Sequence, residues 1–212
     1  MITAKFGGTS LCDAAHFQQV REILDQNPRR RFVVVSAPGK RWDDDVKITD
    51  LLYRCHQEAR AGGSVAAAFA PVASRFRDIV ADLRLGLDLE EEFHATVWAM
   101  ERGAGQAFCA SRGEYFSARI MAALLDLPFL DPAQCIFFDE NGRFDGEAAQ
   151  RTLSARLEGL DGAVMPGFYG VMPDGAIKTF TRGGSDITGA LAAAALDADV
   201  YENWTDVSGF LM

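Results

Sequence analysis

The 212-residue chain has no apolar run long enough to cross a bilayer, and its first residues lack the basic start and apolar core of a signal peptide. Its four cysteines, Cys12, Cys55, Cys109 and Cys135, include no C-x-x-C pair, and none stands in a glycine-rich turn. That pattern excludes a disulfide framework and a close-spaced metal knuckle, so free buried thiols in a reducing cytoplasm are expected. Positive charge is scarce: 21 basic against 30 acidic residues give a net charge of −9, which argues against nucleic acid and anionic membranes as partners. The one basic run, Arg29-Arg30-Arg31, follows Asn27-Pro28 and is expected in a solvated loop. No G-x-G-x-x-G follows the first apolar run, which disfavours a dinucleotide-binding oxidoreductase.

What is present is the composition of a packed α/β domain, 49% hydrophobic and 24% charged. Residues 2 to 6 read as a strand and 14 to 25 as an amphipathic helix capped by Asp13. Phe32 to Ser36 is a continuous β-branched run of the kind found in parallel sheets covered on both faces. Helices are expected over about 47 to 61, 64 to 83, 88 to 110, 113 to 125, 146 to 158 and 185 to 196. Strands are expected near 129 to 131, 135 to 138, 162 to 166, 177 to 181 and 199 to 204. The alternation predicts an open, mainly parallel sheet between helical layers, with ligands gathered at the carboxyl ends of the strands.

Chemistry-bearing residues fall in those loops. Lys5-Phe6-Gly7-Gly8-Thr9-Ser10 joins a cation, a glycine pair and two hydroxyls at a strand end, the make-up of a phosphate cradle. Thr181-Arg182-Gly183-Gly184-Ser185-Asp186 opens a helix, with Ser185 or Asp186 as candidate N-cap and Arg182 able to fork onto a carboxylate or phosphate.

Seven motifs stand in order: KFGGTS at 5 to 10, VVVSAPGK at 33 to 40, KITDLL at 47 to 52, SRGE at 111 to 114, PGF at 166 to 168, TRGGSD at 181 to 186 and WTDVSG at 204 to 209. Together they resemble the aspartate kinases of the amino-acid kinase superfamily. The resemblance implies an α/β, three-layer αβα sandwich with a mainly parallel central sheet, the carbamate-kinase-like fold. It also implies transfer of the γ-phosphoryl of ATP to the β-carboxylate of L-aspartate, the first step towards lysine, threonine and methionine. ATP would bring its own Mg2+, with no separate protein metal site.

By position, the resemblance makes Lys5 the cation that neutralises the transferring group and Asp186 an organiser of Lys5 or of the magnesium. Gly7, Gly8, Thr9, Ser10, Gly183, Gly184, Thr205 and Asp206 fall on the phosphate and nucleotide side. Ser36, Thr49, Glu114, Phe168, Arg182 and Ser185 fall on the substrate side, with Glu114 for the amine and Arg182 for the α-carboxylate. Singly, each has a plainer reading: Glu114 as a helix N-terminal acid, Thr49 and Asp50 as a helix cap, Asp206 as a turn residue.

Two departures from the family pattern stand out. Arg41 to Ile48 form an insertion whose Trp42 among acids suggests a mobile loop over the site. The motifs also stop at 209, so the sequence is expected to be a partial kinase domain without regulatory ACT domains. Weak or no activity alone and no feedback inhibition by lysine or threonine are expected of it, with homo-oligomers formed by the longer parent. Another kinase of the superfamily, or a non-catalytic ligand-binding fragment, are the alternatives.

Overall fold

The computed structural model describes residues 1–181 and 183–205; Arg182 and Asp206, both expected at the site, lie outside them. At its centre four parallel strands, β1 (Ile2–Phe6), β2 (Arg30–Val35), β5 (Ala163–Pro166) and β8 (Val200–Trp204), run in the order β5-β2-β1-β8. Side chains alternate across this sheet, so each strand feeds two cores. Val33 and Val35 of β2, with Ala4 and Phe6 of β1, pack into a cluster that includes Phe17, Leu52, Phe76, Phe93 and Phe116. These belong to α1 (Ala14–Asp25), α2 (Ile48–Ala61), α3 (Val65–Asp82), α4 (Glu90–Glu101) and α5 (Gln106–Leu125). Phe32 and Val34 face the other way, onto Leu153, Leu157 and Ala192 of α6 (Gly146–Leu157) and α7 (Gly184–Ala195). Helices on both faces of a mainly parallel sheet are the layering that the β-branched run of β2 predicts.

A second sheet does not emerge from the sequence pattern. It is small and mixed, in the order β4-β3-β6-β7, from β3 (Phe137–Phe138), β4 (Phe144–Asp145), β6 (Tyr169–Val171) and β7 (Ile177–Thr179). Strands of two or three residues are too short for a period to show. Phe129 makes only an isolated bridge to Val164, so no strand forms over 129 to 131.

Two other expectations are corrected. β2 begins at Arg30 rather than after a basic loop; Arg30 is held by Glu202 at 2.8 Å and lies over the Trp204 ring. The expected helix over 88 to 110 ends at Glu101. Gly103 has φ +90°, and the amides of Gly103 and Ala104 close onto the carbonyls of Met100 and Ala99. That pair of bonds is a Schellman terminus, which only a glycine accepts without strain. α5 therefore starts at Gln106 and runs through the SRGE motif, placing Glu114 mid-helix rather than at a helix N-terminus.

The insertion after Lys40 is anchored. Asp45 is buried and bonds both Arg41 (2.9 Å) and Arg75 of α3 (2.8 Å), and Arg75 also donates to the Gly39 carbonyl. Only Trp42 of this segment is a large exposed apolar side chain, beneath the Arg41 guanidinium.

Candidate active site

β1, β2, β5 and β8 end on the same edge of the sheet, and the loops that leave them are stitched together by backbone bonds. The Gly7 amide donates to Trp204 (3.1 Å), Ser36 to Phe6 (3.2 Å), Gly167 to Val35 (2.9 Å) and Gly39 to Gly8 (2.8 Å). Gly8 and Gly39 touch so closely that a Cβ on Gly8 would meet the Ala37 carbonyl at 2.7 Å, and one on Gly39 would meet Gly8 at 2.9 Å. These glycines are needed for backbone approach rather than for unusual φ. Thr9 and Ser10 follow in a 3-10 turn, Gly8–Leu11, and share one pocket with Thr205 beyond β8.

Lys5 lies on the α7 side of β1, opposite Phe6. Its Nζ reaches Asp186 Oδ1 at 2.7 Å, and the lysine side chain is 10% exposed against 46% for the aspartate. The same Oδ1 accepts a hydrogen bond from Asn203 Nδ2 at 3.2 Å. Asn203 is the register partner of Lys5 across β1 and β8, so three elements fix one cation. Sequence reasoning missed Asn203, although its place one residue before the WTDVSG motif was a usable signal.

Asp186 and Ser185 do not cap α7. The N-cap is Gly183, at φ +58°, with no side-chain cap. Asp186 instead sits in the first turn, and the helix N-terminus is open to an anion. Gly184 packs against Phe168 (a Cβ would lie 2.7 Å from the ring) and Gly167 against buried Ser185. Phe168 holds φ +85°, an uncommon value for a side-chain-bearing residue, and its amide donates to Thr188 Oγ1 at 3.1 Å. Backbone strain of this kind concentrates where a loop is held in position for a ligand.

The opposite wall is α5. Gly113 lets the helix lie on the Ala37 loop, since a Cβ there would stand 2.6 Å from the Ala37 methyl. The next residue, Glu114, is 5% exposed and takes a hydrogen bond from the Ala37 backbone, while its Oε2 is buried with no partner among the described residues. Burial pushes its carboxyl up to about 8, against the Ala37 bond and the charge of Arg112. Arg112, unmarked by the sequence reading, is buried over Tyr115 and Tyr169 and donates to Ser111 Oγ at 3.0 Å, so it does not neutralise Glu114 directly. Thr49 is half-buried at the second position of α2, whose N-cap Lys47 provides no side-chain bond; neither Thr49 nor Asp50 caps that helix. Ser36, half-buried, lies between this wall and the cradle.

The arrangement thus holds a paired cation beside a glycine cradle, an uncapped helix N-terminus, and across from them a buried carboxylate oxygen in want of a donor.

The whole chain, residues 1–212, matches the amino acid kinase family. It is 35% identical to aspartokinase 3 of Bacillus subtilis over 98% of this chain and 49% of that protein. It is 31% identical to the lysine-sensitive aspartokinase 3 of Escherichia coli over 99% of this chain and 49% of that one. Its fold superposes on the crystal structure of Clostridium acetobutylicum aspartate kinase with a TM-score of 0.96 and 42% identity, covering 100% of this chain and 49% of that one. The chain spans about half the length of these relatives. With its sheet, its strand-end loops and its full-length match, the chain belongs to the amino acid kinase family.

Proposed function

We propose that these residues form the substrate half of an aspartate kinase site, which transfers the γ-phosphoryl of ATP to the β-carboxylate of L-aspartate. The observation that carries the reading is Glu114. A buried carboxylate oxygen without a partner is costly, and an α-ammonium is the donor that would satisfy it with charge assistance. Thr49 and Ser36 lie where the reacting carboxylate would be held, and Arg182, outside the described residues, would take the α-carboxylate.

The acceptor needs no general base. A free β-carboxyl ionises at about 3.9, so near neutral pH it is already a nucleophile. What remains is to hold two anions in line and to offset charge on the transferring group. Lys5, fixed by Asp186 and Asn203, is placed for that task, with the amides around Gly7 to Ser10 and the open start of α7 as further donors. Asp186, half-exposed and a single carboxylate beside the phosphate cradle, suits a magnesium ion that shares its remaining sites with substrate phosphates and water. Bound there, the ion would screen the phosphate charge. A role in the supply of lysine, threonine and methionine follows from this reaction.

Calorimetry with L-aspartate and with succinate, which lacks the ammonium, tests the reading. Aspartate should bind and succinate should bind far more weakly, and Glu114→Gln should erase that difference. Equal binding of both ligands by the native chain would sink it. A hydroxamate assay with ATP and aspartate then reports turnover.

A further inference from the structure

Where the loop after β1 runs into α1, one side-chain cluster stands out by its chemistry. Cys12, Asp13 and His16 form a Cys-Asp-x-x-His segment where the 3-10 turn Gly8–Leu11 passes into α1. Their donor atoms all lie within 4.8 Å of one another. Cys12 Sγ is 3.2 Å from His16 Nδ1, that nitrogen is 2.7 Å from Asp13 Oδ1, and Cys12 Sγ is 3.9 Å from Asp13 Oδ2.

Helix capping explains part of this. Asp13 Oδ1 accepts from the His16 amide at 3.0 Å and fixes the start of α1. It explains neither the thiol nor the imidazole. One ring nitrogen carries either a proton or a lone pair, so it cannot serve both neighbours. If Nδ1–H donates to Asp13 Oδ1, the Cys12 thiol keeps only a long contact of 3.9 Å to Asp13 Oδ2, and the imidazole 3.2 Å away offers it no lone pair. If Nδ1 is bare, it faces a carboxylate oxygen at 2.7 Å, lone pair against lone pair. A shared cation removes the conflict, because all three atoms then donate to one centre.

We propose that Cys12, Asp13 and His16 form a three-ligand site for a soft divalent cation of the Zn2+ type. In a tetrahedral zinc site the ligand-to-ligand edges are about 3.3 to 3.6 Å, given the usual metal–sulfur, –nitrogen and –oxygen lengths. The separations seen, Sγ to Nδ1 3.2 Å, Sγ to Oδ2 3.9 Å and Nδ1 to Oδ1 2.7 Å, each lie within an ångström of such an edge, and one donor atom from each residue falls within 4.8 Å of the other two. The Cys12 thiol would give its proton to solvent, and one thiolate plus one carboxylate then balance the dication. Asp13 can ligate through Oδ2 while Oδ1 keeps the helix cap. Asp13 and His16 are each 39% exposed, which provides an entry path and leaves a fourth position to water. Sulfur and imidazole donors select against Mg2+, the hard cation of phosphoryl transfer. His16 also lines the pocket of Thr9, Ser10 and Thr205, so the ion would sit next to the phosphate cradle. Metal capture here needs no kinase chemistry, and its test is separate from aspartate or nucleotide binding.

Titration of the metal-free chain with Co2+, followed by optical absorption and then by Zn2+ competition, decides the matter. One equivalent should produce a thiolate-to-cobalt charge-transfer band with four-coordinate ligand-field bands, displaced by Zn2+ and not by excess Mg2+. Cys12→Ser should abolish the charge-transfer band. His16→Ala, at a half-exposed position that leaves the core intact, should weaken Co2+ binding by more than about a hundredfold, beyond the loss typical of an outer-shell partner. Asp13→Asn, which retains an N-capping side chain, should also weaken it. The proposal fails if no saturable thiolate band appears, if the band survives Cys12→Ser, or if His16→Ala binds as the native chain does.

Discussion

The two walls of the site are built on opposite electrostatic plans. On the β1–β8–α7 side, Lys5 and Asp186 satisfy each other within the protein and Asn203 locks the pair from a third element. On the α5 side, Glu114 is more deeply buried, bonded to its own backbone and to that of Ala37, and left with an unpaired oxygen. The first wall pairs its cation before any ligand arrives. The second is completed only by a cation from outside, so the two should answer differently to mutation and to pH.

Lys5→Ala should give the largest effect on turnover, measured in the hydroxamate assay. Loss of a preorganised charge partner at the transferring group predicts a kcat lower by about 10² to 10³-fold, with aspartate binding nearly unchanged. A comparable loss of aspartate affinity would blur the two walls into one. Asp45→Asn should act on folding instead. Without it buried Arg75 has no charge partner, and urea unfolding should show about 3 kcal/mol less stability. The Arg41 hydrogen bonds, with the charge of Arg75 beside them, hold Asp45 well below the ordinary carboxylate range, so this contribution is present above the ordinary aspartate value and is lost as pH falls through the lowered one.

Glu114→Gln should weaken aspartate by roughly 10 to 100-fold, the value of a charge-assisted bond, without destabilising the ligand-free protein. The pH profile sharpens the contrast. In the folded chain Glu114 holds its proton up to about 8, whereas in the unfolded chain it releases it near the ordinary glutamate value. Between those limits the folded state binds the extra proton, so native stability should decline with rising pH and level off above about 8, and Glu114→Gln should lack this component. Gly113→Ala removes neither charged group and should cost about 1 to 3 kcal/mol in unfolding, as its methyl would stand 2.6 Å from the Ala37 methyl, closer than the two can pack.

The wall of Lys5 and Asp186 was the more legible one. Lys5, the glycine pair and Asp186 advertise themselves because phosphate chemistry uses residue types in tight sequence clusters, and β2 announces its double burial by an unbroken β-branched run. The second wall depends on contacts 77 residues apart in the chain, Ala37 to Glu114, which no local period encodes. Glu114 is found through the SRGE motif, yet its setting is not, because the Gly103 turn reads as helix interior and the next helix is expected from 113, seven residues after its start at Gln106. Gly183 was overlooked as an N-cap because Ser185 and Asp186 are the residue types that usually fill that position, and here the closer need is the approach of Gly184 to Phe168. The short strands β4 and β6 were illegible for lack of length.

The central claim, that Glu114 waits protonated for an ammonium, is tested most directly by counting protons. Aspartate binding at pH 7 should be measured calorimetrically in buffers of different ionisation enthalpy. The native chain should release close to one proton per aspartate bound, and Glu114→Gln should release about none. Binding without proton release by the native chain, or the same release by both proteins, would contradict the account.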